Sequence, residues 1–367
     1  MQFTALPNEL VLHIYQSCTD IPSVLNLAST CHHFRKVLSL PRRLPTLYLA
    51  AEAQFGPLSS AMTLVTHNTS QPPHLPRPSP PHSLALLTRL LAVGRVANQW
   101  ANLYPFQKWR GPQSSSRRLL NSTERHRLRR ACYRLWLYSL AFHTPMRPRT
   151  TRLSPPAIRS RAALLRSWPT DHLAQMLDLY TIFRNVVQTH ICPSNALVMR
   201  RHKARFPDDP YPSRFHASHH PPGFPQAYFH STPHVPKLLA RSRQDTYGFD
   251  GWGDEIAHYY VVEDMLKLDP GQLMWLYNEL TCTSETNEAC TASLTGTAYP
   301  VNGGYAGGKT IVERFVAGLG GEWFENNGET FVETAALVVG DRGEEVKVLK
   351  ERVEDKVEGI VKEGEVV

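Results

Sequence analysis

Apolar residues at the start of the chain recur at helical rather than strand spacing. Leu10, Ile14 and Cys18 follow one another every four residues, and Val11 and Tyr15 widen the stripe. The spacing predicts an amphipathic helix of about three turns. It opens at Leu6-Pro7, where a proline is tolerated because first-turn N–H groups have no intrahelical partner. Asp20 predicts the N-cap of a second helix, with Pro22 in its first turn and Val24, Leu25, Leu27, Ala28 and Cys31 inside it. A third begins near His32-His33, carries Phe34, Val37 and Leu38, and is expected to end before Pro41. Leu47–Phe55 continues helically and packs on this bundle.

Further along, the pattern alternates between helix and proline-rich chain. Residues 68–82 cannot form a helix or a central strand and read as a linker, so residues 1–48 are expected to be removable without unfolding the rest. The region 83–192 reads as helical. Ser83 caps a helix to about Leu103, and Asn121 with Glu124 caps another through Phe142. Two more follow at 158–167 and 170–191. The segment 193–250 is rich in His and Pro and is expected to be irregular or disordered. In 251–367, helices are predicted from Asp254 to Lys267, from the Asp269-Pro270 cap to Leu280, and over Lys309–Leu319. Trp323–Val332 reads as a small hairpin about Asn327-Gly328. An exposed amphipathic helix is predicted over 343–362. The fold class is therefore mainly α: an N-terminal three-helix module, then an irregular helical region with long proline-rich insertions.

Composition sharpens this picture in two places. The chain has 367 residues, of which 29 are proline, an excess that argues against one uninterrupted globule. Its net charge of +8 hides a division. Residues 1–244 hold 31 Lys and Arg against 8 Asp and Glu, whereas residues 245–367 hold 9 against 24. The richest basic run, Arg125–Arg134, is expected to dock through Tyr133 and Trp136 against the acidic helices after Asp254. Under that reading nucleic acid is not a partner. No stretch is long and apolar enough to span a membrane. The opening residues lack a basic n-region and carry Glu9, so no secretory signal is expected. The six cysteines form no C-x-x-C pair, so reduced thiols in a cytoplasmic or nuclear protein are expected.

The block LPNELVLHIYQSCTDIPSVLNLASTCHHFRKV, residues 6–37, carries more apolar side chains than three short helices can bury among themselves. It resembles the F-box, the adaptor-binding module of SCF-type ubiquitin ligases. The match runs through Leu6-Pro7, Glu9, Leu10, Leu12, Ile14, Pro22, Leu25, Cys31 and Phe34-Arg35 without a gap. The resemblance implies a three-helix F-box over residues 1–48. It also implies an interface with the Skp adaptor through Leu6, Pro7, Leu10, Ile14, Leu25 and Leu27, and through that adaptor a cullin. The remainder of the chain is then a non-catalytic receptor for an unknown protein substrate. An F-box scaffold acting outside a cullin ligase is the alternative. Segments 129–142 and 251–277 resemble the helical region that follows the F-box in many uncharacterised eukaryotic F-box proteins.

Other motifs point less far. Gly303, Gly308, Lys309 and Thr310 satisfy G-x-x-x-x-G-K-T, a phosphate-cradling pattern. The chemistry needs a buried strand before it, and TGTAYPVN is short, polar and broken by Pro300, so no cofactor is assigned and nucleotide binding stands as the lesser alternative. His216, His219, His220, His230 and His234 have metal-compatible spacing, but the prolines among them argue against the helix that would present them, and no metal is assigned.

Overall fold

The computed structural model describes residues 6–78, 80–110, 118–143, 149–205, 251–282, 304–319, 329–356 and 358–362. Among them there are fifteen α-helices and no strand, a mainly α fold. The N-terminal helices are α1 (Asn8–Gln16), α2 (Ile21–Thr30), α3 (His32–Val37), α4 (Leu40–Phe55) and α5 (Leu58–Val65). Longer helices follow: α6 (Leu84–Lys108), α7 (Ser122–Phe142), α8 (Pro155–Arg166) and α9 (Thr170–Val186), the last continued by a π turn over Val187–Ile191. The remainder are α10 (Asn195–Arg205), α11 (Glu255–Met265), α12 (Pro270–Cys282), α13 (Gly304–Gly318), α14 (Phe331–Asp341) and α15 (Val346–Glu354).

Helix starts follow local chemistry. The Asp20 carboxylate accepts from Ser23 N at 2.7 Å, and Ser83 Oγ accepts from Leu86 N at 3.1 Å. Asn121 and Glu124 form a reciprocal box: Glu124 N donates to Asn121 Oδ1 at 2.8 Å, and Asn121 N donates to a Glu124 carboxylate oxygen at 2.9 Å. Asp269 caps α12 in the same way, accepting from Gly271 and Gln272 N at 2.8 and 3.0 Å while Gln272 reaches back. Each device satisfies N–H groups that a helix start leaves unpaired.

The chain divides into two compact units. The first comprises residues 1–141, 162–179 and 335–367. Within it α4 and α5 pack on α6, and α4 also contacts α1 and α2. Gly94 of α6 permits this closeness, because a Cβ there would lie 2.6 Å from the Phe55 ring. Trp100, Tyr104, Tyr133 and Tyr138 are fully buried. Asp178, a buried carboxylate, accepts from Tyr104 Oη at 2.7 Å, Lys108 Nζ at 2.9 Å and Ile360 N at 3.1 Å. Gly359 turns the chain there with φ +107°, and a side chain at that position would meet Asp178.

The second unit comprises residues 142–161 and 180–334. The π turn packs against α12 and α13, with His190 and Tyr277 edge to face at 5.2 Å. Trp275 of α12 meets Phe315 of α13 at 5.3 Å. Buried Lys267 pairs with Asp264 at 3.1 Å, and its carbonyl lies 3.2 Å from His143 Nδ1. Burial first, and then the Lys267 charge, push His143 down to about 3.

Several expectations change. Pro41 opens α4 instead of closing α3, because a first turn needs no N–H from it. The boundary expected at residue 48 falls inside α4. Helix α5 was not foreseen. Residues 68–78 and 80–82 are non-helical but not free of the fold. The Arg77 guanidinium donates to the Thr66 and Asn68 carbonyls at 2.5 and 3.1 Å, and Tyr48 stacks on His82 at 3.9 Å and donates to Ser83 O at 3.1 Å. Asn195–Arg205, expected to be irregular, is helical, while 206–250 lies outside the described residues. The hairpin's second arm is absent, since Phe331 starts α14; residues 320–328 lie outside the described residues. The C-terminal helix is shorter than expected and is not a free partner helix: Leu349, Val353, Ile360 and Val361 are buried.

The basic helix touches the C-terminal segment through Arg127, which donates to the Ile360 carbonyl at 3.5 Å, and has a second neighbour. Arg129 is buried, and its guanidinium donates to the carbonyls of Gly56 at 2.9 Å and Gln54 at 2.6 Å, while Tyr133 donates to Phe55 O at 2.8 Å. Arg130 reaches Gln175 at 2.8 Å, and Arg134 covers the Trp168 ring at 4.9 Å. The helix docks on the end of α4 and the start of α9, because carbonyls left open at a helix C-terminus attract a cation more strongly than distant surface carboxylates do.

Two outcomes follow from this packing. Arg129→Ala leaves buried carbonyls unpaired and should destabilise the protein by ~2–4 kcal/mol, with Arg129→Lys losing less. A chain lacking residues 1–48 loses the first half of α4 and should show a lower melting temperature than the full chain by circular dichroism. An unchanged transition would show that α4 is dispensable.

Candidate functional site

Helices α1 to α3 form a small module with an inner and an outer surface. Val11, Tyr15, Ile21, Val24, Phe34 and Val37 are buried. Tyr15 donates to Phe34 O at 3.0 Å, its ring meets Phe34 edge-on, and burial pushes its hydroxyl up to about 12. His33 Nε2 donates to Leu6 O at 3.1 Å and so ties down the chain entering α1. Helix α4 completes the module, with Gln54 Oε1 accepting from Ile21 N at 3.3 Å.

The outer surface holds residues the sequence singles out. Leu10 is 51% exposed and Ile14 38%, one turn apart on the same face of α1. Leu25 of α2 is 41% exposed, and Pro7 is exposed. Leu6 and Leu27 are half-buried, so the six candidates divide between an outer face and the module's margin. The buried seam of α1 runs through Val11 and Tyr15, displaced from the Leu10–Ile14–Cys18 stripe read from spacing.

The phosphate-loop pattern has a different local structure. Gly303 lies outside the described residues, and α13 already begins at Gly304. Gly308, Lys309 and Thr310 thus sit within a helix, not at the mouth of an open loop. Ala336–Asp341, which imitates a metal-binding strand end in sequence, is helical. The histidines at 216–234 lie outside the described residues, and among the described ones no group of three or more His, Cys, Asp or Glu is placed to hold a metal ion. No described helix is long and apolar enough to cross a membrane.

One polar cluster escaped sequence reasoning. In the second unit Glu329 is buried at the start of α14 and accepts from Phe331 N. Glu263 of α11 and Tyr180 of α9 face it, with Arg152 more distant. Glu263 pairs with Arg184 at 2.6 Å. Burial and the neighbouring Glu263 charge push Glu329 up to about 7, and burial also raises Glu263 and Tyr180. Three helices and a turn contribute over a span from Arg152 to Phe331, so no local motif announces the cluster. Its chemistry is a carboxyl that changes charge near neutrality.

No family model, curated protein or solved structure matches the chain.

The Glu329 carboxyl gives a pH prediction with a defined sign. Its folded value lies above the ordinary carboxylate value of 4.5, so ionisation opposes folding. Stability should fall as pH rises from about 4.5 to about 7 and change little on this account above that. Glu329→Gln removes the term. The variant should match the parent at pH 5 and exceed it at pH 8 by on the order of 2–3 kcal/mol in urea titrations. Equal stability at pH 8 would exclude an ionising Glu329 from this cluster.

Proposed function

We propose that this protein is the non-catalytic, substrate-recruiting subunit of an SCF-type ubiquitin ligase, and that α1 to α3 bind the Skp adaptor. A single observation carries the reading: Leu10 and Ile14 stand outward on a helix whose adjoining face is already buried by Val11 and Tyr15. The module does not need these two side chains for its own core. Covering them with a partner would bury apolar area worth ~1.5–3 kcal/mol per side chain. This is helix-in-groove recognition, in which anchors at helical spacing leave water together. Leu25, Pro7, Leu6 and Leu27 border the same module and would extend the contact. In this reading a cullin is reached through the adaptor, the transfer chemistry belongs to other subunits, and the remaining helices select a protein substrate.

The test is direct. Leu10→Asp with Ile14→Asp should lower affinity for the purified adaptor at least tenfold in calorimetry, since each interface anchor is worth ~2 kcal/mol. The melting temperature should hardly change, because both positions face solvent. Undiminished adaptor binding by the double variant, or no binding by the parent chain, would refute the assignment.

A further inference from the structure

Helix α7 and the start of α9, both in the first unit, bring several cations together around one carboxylate. Arg130 and Arg134 stand one turn apart on α7 and share one side of it. Arg130 Nη2 donates to Gln175 Oε1 at 2.8 Å, and the Arg134 guanidinium covers the Trp168 ring at 4.9 Å. His172 lies one turn before Gln175 on α9, and the charges of both arginines act on it. From α14, Arg342 donates to Trp168 O at 2.7 Å and to Thr170 Oγ1 at 3.0 Å.

These partners are neutral. An amide oxygen, an indole face and a carbonyl satisfy packing and hydrogen bonding, but none cancels a charge, and a guanidinium stays charged at neutral pH. Among the described residues Arg130, Arg134 and Arg342 form no ion pair. The carboxylate whose charge acts on Arg130, Arg134 and His172 alike is Asp171, 3.9 Å from His172 Nε2. It stands in the first turn of α9, where the helix dipole already favours it. Positive charge therefore outweighs negative. Burial and then the Arg130 charge push Arg134 down to about 10, and burial with both arginines holds His172 below its ordinary value. Arg130 Nε, Arg134 Nη1 and His172 Nδ1 have no hydrogen-bond partner in the chain. The cluster is open to solvent: Arg130, Arg134 and His172 are half-buried, and the Asp171 side chain is 46% exposed.

We propose that Arg130, Arg134 and His172 form a binding site for a single phosphate dianion, free or as a small monoester, with Arg342 adding to its attraction. The proposal is independent of the adaptor reading. Charge sets the class of ligand, because three guanidinium groups against one carboxylate match two negative charges. Geometry narrows it further. Guanidinium groups one turn apart offer N–H donors to several oxygens of a tetrahedral anion, a fit that a spherical chloride ion lacks. A nucleic acid fits less well. Arg134 already covers the Trp168 ring, which takes away a platform for a base, and Asp171 opposes the neighbouring phosphates of a polyanion.

The experiment is calorimetric titration of the full chain with inorganic phosphate at about pH 8, where the dianion predominates, with ionic strength held constant by chloride. Phosphate should bind saturably, one per chain. Methyl phosphate serves as the monoester: binding comparable to that of inorganic phosphate extends the site to esters, and its failure confines the site to the free ion. Arg134→Met should weaken binding at least ~tenfold, because a charge-assisted hydrogen bond is lost, and Arg130→Met likewise, while Arg134→Lys loses less. Asp171→Asn removes the opposing carboxylate and should tighten binding about threefold, a gain that a misfolded chain would not give. Circular dichroism at the parent's intensity checks the fold of each variant. The proposal is overturned by a parent chain that shows no saturable binding, by affinity unchanged in both Met variants, or by an Asp171→Asn variant without a gain. A single-stranded RNA that binds more tightly than phosphate and depends on Arg134 would also overturn it, in favour of a nucleic-acid surface.

Discussion

The end of α4 is the point on which the first unit depends. A helix terminus leaves carbonyls without intrahelical partners, and here Gln54, Phe55 and Gly56 offer theirs to α7. The buried Arg129 guanidinium takes two of them and Tyr133 takes the third. Because α4 also supplies Gln54 to the start of α2 and Phe55 to the surface of Gly94, one helix end fixes the three-helix module, α6 and α7 together. The basic helix is therefore basic for an internal reason. Its arginines are spent on carbonyls, an amide and an indole ring, not displayed to solvent as a stripe.

That arrangement explains why the N-terminal module can carry exposed apolar residues. Its interior is completed by Val11, Tyr15, Val24 and Phe34 and by α4 behind it. Leu10, Ile14 and Leu25 remain outside that core, and exposed apolar side chains grouped on one module are the usual mark of a protein contact. On α1 the apolar stripe is thus wider than the fold consumes.

The second unit keeps its ionisable groups in a different balance. Glu263 has Arg184, and Lys267 has Asp264, so these two charges each have an opposite partner. Glu329 has a backbone N–H and the positive end of α14, but it faces a like charge in Glu263. The Glu329 carboxyl consequently changes charge near neutral pH, and folding stability there is coupled to proton binding.

The sequence by itself determined most of the helices, though not α5, α10 or α14, and many of their starts. Asp20, Ser83, Asn121 with Glu124, and Asp269 act through atoms three residues away, so local chemistry is enough to read them. It also determined that residues 6–37 form short amphipathic helices. What it did not determine is which apolar residues face inward. The stripe on α1 includes both Leu10 and Val11, and only the arrival of α3 and α4 decides that Val11 is buried and Leu10 is not. Nor did it show that the arginines of α7 would meet the end of α4, or that Tyr180, Glu263 and Glu329 would share a site. Those encounters join residues up to about 150 positions apart, and no periodicity or spacing along the chain encodes a contact whose two halves lie on different helices. The proline-rich residues 68–82 make the same point. Their composition excluded a helix, but it was Tyr48 and His82 meeting across the fold that turned a linker into a packed strap.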